Sequence, residues 1–442
     1  MSTQASVLQR QSMSGSAGEA PCRFCGEPLR YTVVDLGKSP LCETFLAADQ
    51  LNLMERFYPL HVQVCHRCWL VQVQQYVAVD SIFSDYPYFS SYSDSWLAHA
   101  RRYVDDMVAR FGLDGSSQVV EVGSNDGYML RYMVERGIPA LGIEPAANVA
   151  EVARQRGVPT EVAFFGVATA QRLRERGITA DLVAGKNVMA QVPDLNDFVA
   201  GIAVVLAPQG VCTIEFPHLV TMIADNQFDT IYHEHFSYFS LVVVRRVFAA
   251  HGLRVFDVEE LPTHGGSLRI FACHAPAGHP QSPAVAALGD RERELGIETL
   301  EYYADFADRV KGIKRDLLRF LIDAAESGKR VVGYGAPGKG NTLLNYCGIR
   351  SDLLEYTVDR NPGKQGRFLP GTHIPIHHPD RIAETRPNYV LILPWNLKDE
   401  ISAQLSYVRQ WGGQLVVPIP GVQVIGAGVS GPADGKRGAH VI

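Results

Sequence analysis

The chain has 442 residues, 46% of them hydrophobic and 20% charged, with a formal net charge of −6. That length suits two to four folded domains, of which three are expected, and the composition is that of a soluble globular protein. No run approaches the roughly 18 uninterrupted apolar residues of a membrane span, and an acidic balance offers no field to draw nucleic acid, so neither a membrane nor a nucleic-acid partner is expected.

The first twenty residues are rich in Ser and Gln and lack the apolar stretch of a signal peptide, which predicts a cytoplasmic protein with a disordered tail over residues 1–20. Four of the eight cysteines then form two pairs, Cys22-Arg-Phe-Cys25 and Cys65-His-Arg-Cys68. A two-residue knuckle turns both sulfurs toward one point, and two such knuckles suit tetrahedral zinc. Four thiolates leave no position for water, so the metal at Cys22, Cys25, Cys65 and Cys68 is expected to be structural. The 39 residues between the knuckles require a small sheet or loop of their own. This zinc-binding domain is placed at residues 21–85. Cys42, Cys212, Cys273 and Cys347 read as small buried hydrophobes.

Next comes an aromatic, hydroxyl-rich segment, Asp85-Tyr86-Pro87-Tyr88-Phe89-Ser90-Ser-Tyr92, which either lines an acceptor pocket or packs between domains. From about residue 100 apolar runs alternate with helical stretches, the signature of a parallel sheet covered by helices. Gln118-Val-Val-Glu-Val-Gly-Ser-Asn-Asp-Gly-Tyr-Met-Leu130 reads as strand, glycine turn and helix start. Gly123 and Gly127 let the backbone approach a ligand at the strand's carboxyl end. The Glu-x-Gly-x-x-x-Gly order differs from the Gly-x-Gly-x-x-Gly that seats a pyrophosphate. A cationic sulfonium with an amino-acid tail needs acceptors instead, which points to S-adenosylmethionine. Glu121, Gly123, Asn125, Asp126 and Gly127 are its expected contacts. Glu144, closing the strand Ala140-Leu-Gly-Ile-Glu144, is expected on the ribose hydroxyls, and Asn187 stands at the sheet's carboxyl edge.

Tyr232-His233-Glu234-His235-Phe236 gathers two imidazoles, a carboxylate and a phenol, and histidine titrates near neutrality. Proton transfer is the expected chemistry. A metal pair and a packed polar turn remain alternatives, and strand or helix geometry leaves open which imidazole meets a substrate. A methyl donor beside proton acceptors points to methylation of carbon. The donor domain is placed at residues 86–274. Ala275-Pro-Ala-Gly-His-Pro-Gln-Ser-Pro283 reads as a linker, and a further domain at residues 275–425 carries Gly333-Tyr-Gly335-Ala-Pro-Gly338-Lys339, with Asp359 twenty-four residues beyond Gly335. That spacing also meets a nicotinamide-nucleotide pattern, which keeps an NAD(P)-dependent oxidoreductase as an alternative, and Lys339 suits a diphosphate. The Gly-rich stretch over 426–442 reads as a second disordered tail.

The paired cysteines, Glu-Val-Gly-Ser-Asn-Asp-Gly, Tyr-His-Glu-His-Phe, His264-Gly-Gly-Ser-Leu-Arg269 and Gly-Tyr-Gly-Ala-Pro-Gly-Lys-Gly-Asn-Thr together resemble the deoxysugar C-methyltransferases, over Cys22 to Val424. The resemblance implies an α/β protein in three parts: a small N-terminal zinc-binding domain, a class I Rossmann-like methyltransferase domain, and a C-terminal Rossmann-like domain that helps hold a nucleotide sugar. It implies a thymidine-diphosphate 4-keto sugar acceptor from antibiotic pathways, structural zinc on the four cysteines, and His235 as the base with Tyr232 and Glu234 beside it. A substrate ketone acidifies its neighbouring carbon, and Tyr86, Tyr88 or Tyr232 are the expected donors to the enolate oxygen. His233, His264, Gly335, Lys339 and Asn341 are expected to bind the substrate. A different ketone or a hydroxyl acceptor is the alternative. Some members of the family carry an acidic residue before the Phe-Phe of the adenine loop, where this chain has Ala163-Phe164-Phe165.

Overall fold

The computed structural model describes residues 20–83 and 89–425. Tyr86 and Tyr88, the second tail and all but one residue of the first lie outside the described residues. Three β-sheets organise the chain. The first begins with β1 (Tyr31–Ser39), β2 (Tyr58–Val64) and β3 (Val71–Val73), paired antiparallel. Helix α1 (Asp94–Phe111) follows, with the Ser93 hydroxyl accepting the Trp96 N–H at its start and a left-handed Gly112 closing its end.

The second sheet is built from β4 (Val119–Val122), β5 (Ala140–Ile143), β6 (Thr160–Glu161), β7 (Ala180–Lys186) and β8 (Leu206–Pro217). A short strand, β9 (Ser237–Tyr238), leaves this region and pairs with β3, so it completes the first sheet as β1-β2-β3-β9. β10 (Leu253–Leu261) and β11 (Ser267–His274) return to the second sheet, giving the order β10-β11-β8-β7-β4-β5-β6. Its strands β4 to β8 run parallel, while β11 lies antiparallel to β8 and β10 antiparallel to β11. The strand order reverses at β4, the switch point where open α/β sheets hold ligands at the carboxyl edge.

The helix Pro283–Glu294 packs on β10, and α2 (Phe306–Glu326) leads into the third sheet. That sheet comprises β12 (Val331–Tyr334), β13 (Thr357–Val358), β14 (Ile376–His377), β15 (Tyr389–Ile392), β16 (Gln414–Val417) and β17 (Gln423–Ile425), ordered β14-β13-β12-β15-β16-β17. All but β17 are parallel, a second Rossmann-like arrangement. Helix α3 (Gly338–Cys347) leaves the β12 turn.

One apolar core joins parts of the chain far apart in sequence. Val62 and Val73 of the first sheet, Ile231 before the Tyr-His-Glu-His run, and Leu343 of α3 share it. Polar ties reinforce it: Glu55 accepts the Gly371 N–H at 2.8 Å, and the Thr342 hydroxyl donates to the Ile231 carbonyl at 3.0 Å. No helix among the described residues is long and apolar enough to cross a membrane.

Candidate active site

The four knuckle cysteines are free thiols whose ligand atoms all lie within 4.8 Å of one another. The Cys22–Cys68 and Cys25–Cys65 sulfurs are 3.5 Å apart, close to the ~3.8 Å edge of a tetrahedron built on ~2.3 Å Zn–S bonds. Both knuckles close alike: the Gly26 N–H donates to the Cys22 carbonyl and the Trp69 N–H to the Cys65 carbonyl, with Gly26 and Trp69 both at positive φ. Gln72 donates to the Cys22 sulfur at 3.2 Å, orienting the ligand from behind. Thiol chemistry and spacing both fit zinc, which these four residues would hold as a closed, structural site.

A cavity of about 790 Å³ opens where the carboxyl edges of the second and third sheets meet. On one side stand Gly123, Asn125, Glu144 and Asn187. Gly123 has φ +66, and a Cβ there would come within 2.9 Å of Val188, so the backbone itself forms the wall. The Glu144 carboxylate accepts the N–H groups of Asn125 and Ala146, each at 2.9 Å, fixing it at the end of β5. Burial pushes that carboxyl up against these two donors. Ala163, Phe164 and Phe165 line the same side. A glycine cradle, a fixed carboxylate and an aromatic wall fit an adenosine-bearing methyl donor.

Three of the expected donor contacts stand off the cavity wall. Asp126 is fully buried and its Oδ2 takes Arg156 at 2.7 Å and the Ser91 hydroxyl at 2.5 Å, so its charge is spent on holding the turn. Gly127, at φ +74, packs its Cα edge on Val158. Glu121 is fully buried, and burial pushes its carboxyl well above the usual range against the pull of Lys186 and a hydrogen bond with Tyr128.

Behind this wall lies a buried charge network. Glu215 of β8 binds Lys186 at 2.9 Å, His99 at 2.8 Å and Arg269 at 2.8 Å. Burial alone would raise the Glu215 carboxyl, but Lys186, His99 and Arg269 hold it well below the usual range. Helix α1 presents Trp96, His99 and Tyr103 along one face, at the i, i+3, i+7 positions. Trp96 stacks on His99 with centroids 5.0 Å apart, and the Lys186 ammonium sits 3.1 Å from the centre of the Tyr103 ring. Trp96, His99 and Lys186 all line the cavity, yet no spacing motif marks them in the sequence.

The Tyr-His-Glu-His run is a tight turn, closed by the His235 N–H donating to the Tyr232 carbonyl at 2.9 Å. The turn divides the two imidazoles. His233 bonds through Nε2 to the Tyr58 carbonyl at 3.1 Å and faces the first sheet, off the cavity wall. His235 lines the cavity with Tyr232 and Glu234. Its Nδ1 is 2.9 Å from the Thr230 carbonyl. A carbonyl can only accept, so Nδ1 carries the proton and Nε2 keeps its lone pair. Burial lowers His235 to about 4, with Lys339 adding to the effect, so the ring is neutral at pH 7. The Tyr232 ring packs over it at 4.0 Å between centroids, and Cys42 donates to Glu234 at 3.4 Å.

The facing side comes from the third sheet and the β11 approach. His264, held at φ +56, has Nε2 3.3 Å from the Asn187 side chain and meets Trp96 edge-on. Burial lowers it to about 3. Gly335 and Lys339 line the cavity, whereas Asn341 is buried within α3 with its Oδ1 bonded to Asn345. Asp359 is taken up by the turn itself: Oδ2 accepts the Ala336 N–H at 2.7 Å and Oδ1 the Asn361 N–H at 2.8 Å. Glu43, from the zinc-bearing part, pairs with Lys364 at 3.2 Å and accepts the Gly338 N–H at the start of α3. A carboxylate of the chain's own thus fills the seat where a dinucleotide pyrophosphate would lie.

Family comparison matches residues 22–83 to a zinc binding domain, 96–258 to a methyltransferase domain, and 262–420 to the C-methyltransferase C-terminal domain. The chain is 40% identical to the C-methyltransferase NovU of Streptomyces niveus over 409 residues, 92% of this chain and 97% of that one. The chain belongs to this C-methyltransferase family. It is a C-methyltransferase of α/β fold that uses S-adenosylmethionine and has four cysteines placed for zinc. A ubiquinone biosynthesis O-methyltransferase of Bartonella bacilliformis is similar only locally, 26% identical over 22% of this chain and 40% of its own. The crystal structure of magnesium protoporphyrin IX methyltransferase from Synechocystis PCC 6803 with bound SAM overlaps 41% of this chain and 82% of its own, at 15% identity and a TM-score of 0.31.

Proposed function

We propose that this C-methyltransferase acts on a nucleotide-linked 4-keto deoxysugar, a thymidine-diphosphate sugar, at a carbon next to the ketone, with His235 as general base. One observation carries the reading: a neutral imidazole, its Nδ1–H pinned to Thr230, offers Nε2 to a chamber walled by the Gly123–Glu144 side and by the third sheet. A ketone acidifies its neighbouring C–H by spreading the resulting charge onto oxygen, so that a positioned imidazole can remove the proton. Gly123, Asn125, Glu144 and Asn187 would hold S-adenosylmethionine, which when bound would supply an electrophilic methyl, the bonding pair staying on the sulfur. Tyr232 packs His235 in place, and Glu234, facing the same chamber, keeps its polar rim. The volume, about 790 Å³, suits a donor and an acceptor together.

The test is solvent exchange. With thymidine-diphosphate 4-keto-6-deoxyglucose and S-adenosylhomocysteine in deuterated water, enzyme-dependent loss of the C3 or C5 proton signal in NMR supports enolisation and names the carbon. Exchange at neither carbon would shift the acceptor to another ketone or a hydroxyl.

A further inference from the structure

Five cations line the cavity: Arg102, Lys186, Lys339, Arg360 and Lys364. Lys186 is bound by Glu215 at 2.9 Å and Lys364 by Glu43 at 3.2 Å. Arg102 is exposed, and Arg360 stands half in solvent, 4.0 Å from Asp94. Lys339 differs from all four. Among the described residues no carboxylate lies within 4.0 Å of its ammonium, whose hydrogen bond goes to the neutral Asn396 side chain at 2.8 Å. The Trp395 ring lies beneath it, 4.7 Å to the centroid, and excludes water from that side. A lysine has three N–H donors, so two remain for the chamber.

Its surroundings fix what those donors serve. Asp229, fully buried, spends its Oδ2 on the Trp395 Nε1–H at 2.6 Å; burial lowers the Lys339 ammonium from its ordinary value, and the Asp229 charge, acting through space, opposes that shift without covering the amine. The Trp395 ring under Lys339 packs on Gly265, the residue after His264, and the Lys339 charge bears on both the His235 and His264 rings. It belongs to the imidazole end of the chamber, whereas Arg360 is at the mouth.

Resting on the reading of His235 as base, we propose that Lys339 is a catalytic residue that donates to the ketone oxygen of the acceptor, and that the substrate diphosphate lies outward, toward Arg360 and Asn361. The step balances within these groups. The C–H bond beside the ketone breaks, its proton goes to His235 Nε2, its electron pair forms the C–C π bond, and the carbonyl π pair moves to oxygen. That oxygen gains a full negative charge, which a preorganised ammonium in a low-dielectric site stabilises more than it does the neutral ketone. Attraction for the charge that develops, rather than for the ground state, is what accelerates the reaction.

The experiment pairs two ligands on Lys339→Met. Thymidine diphosphate alone lacks the ketone, so its affinity by calorimetry should stay within about twofold of wild type, while 4-keto-sugar exchange in deuterated water falls by about 10²- to 10³-fold, the usual effect of losing one oxyanion donor. If the single variant folds poorly, Lys339→Met with Asp229→Asn removes the orphaned buried carboxylate and should give the same pair of results. A tenfold or larger loss of thymidine-diphosphate affinity with exchange preserved at saturation would assign Lys339 to the diphosphate and overturn the proposal. Undiminished exchange with undiminished affinity overturns it as well. Absence of exchange in the wild type, by contrast, defeats the base reading itself and this assignment with it.

Discussion

The Nδ1–H of His235 is committed to the Thr230 carbonyl at 2.9 Å, five residues back along the chain, so the ring is held in one tautomer by its own backbone. Replacing His235 by Asn keeps a polar group of similar reach and removes the base. Turnover should fall by about two to four orders of magnitude, with S-adenosylhomocysteine affinity near wild type. Turnover within tenfold of wild type would take His235 out of the mechanism.

Gly123→Val tests the donor cradle. The new side chain meets Val188, whose Cγ2 lies 2.9 Å from the added Cβ, and the backbone sits at φ +66, where a branched residue is strained. Calorimetry should show donor affinity reduced beyond detection. Gly137→Val supplies the control, since it has φ +72 but nothing within 4 Å of its Cβ. It should lower stability and leave donor affinity intact, which separates strain from filling of the cradle.

Cys65→Ser removes one thiolate from a closed site. Soluble yield should fall more than the rate per folded molecule, because a structural metal contributes its binding energy to folding. One zinc per chain in the purified variant, by elemental analysis, would contradict the four-cysteine assignment.

Stability should depend on acidity through the cavity imidazoles. Burial lowers His235 to about 4 and His264 to about 3, below the ~6.5 of an unfolded histidine. Between those values the unfolded chain binds more protons, so stability is full above pH 6.5 and is lost as pH falls toward 4, each group being worth on the order of a few kcal/mol. Asp229, raised by burial to about 6, works in the opposite sense between pH 6 and 4 and offsets part of the loss. Urea midpoints at pH 7 and pH 5 should therefore differ, and the difference should shrink in His264→Gln. An equal difference in that variant would place the dependence elsewhere.

NADH should not bind the third sheet. Both Asp359 oxygens already accept backbone N–H groups, and the Glu43 carboxylate already accepts the Gly338 N–H at the start of α3, so the donors a pyrophosphate would need are taken. Saturable fluorescence change with NADH below millimolar concentration would revive a nicotinamide role.

What the sequence made legible were features whose chemistry is local. Each cysteine knuckle, the Gly123 turn and the strand end at Glu144 is a short local pattern, so spacing alone locates it, although the partners that complete it, such as Cys68 for Cys22 and Asn125 for Glu144, lie farther away along the chain. Asp126 misleads for the same reason: its position in the turn suggests a ligand, but Arg156, thirty residues on, claims its charge. Trp96, His99 and Lys186 become parts of the cavity only because α1 crosses the sheet above β7 and β8, a contact made across more than eighty residues. The separate fates of His233 and His235 depend on a tight turn, whereas a strand would have aimed both the same way. Glu43 and Lys364 meet across some 320 residues, and no local pattern announces such a pair.

Strand β9 follows the Tyr-His-Glu-His turn after a single residue and hydrogen-bonds to β3, next to the second cysteine knuckle. The turn that carries His235 is therefore anchored to an element whose shape a metal on the four cysteines would maintain. The first sheet is thus not freely interchangeable between relatives. A hybrid that takes its first sheet from a relative must bring residues 231–238 with it, or the imidazole will be registered against a foreign edge.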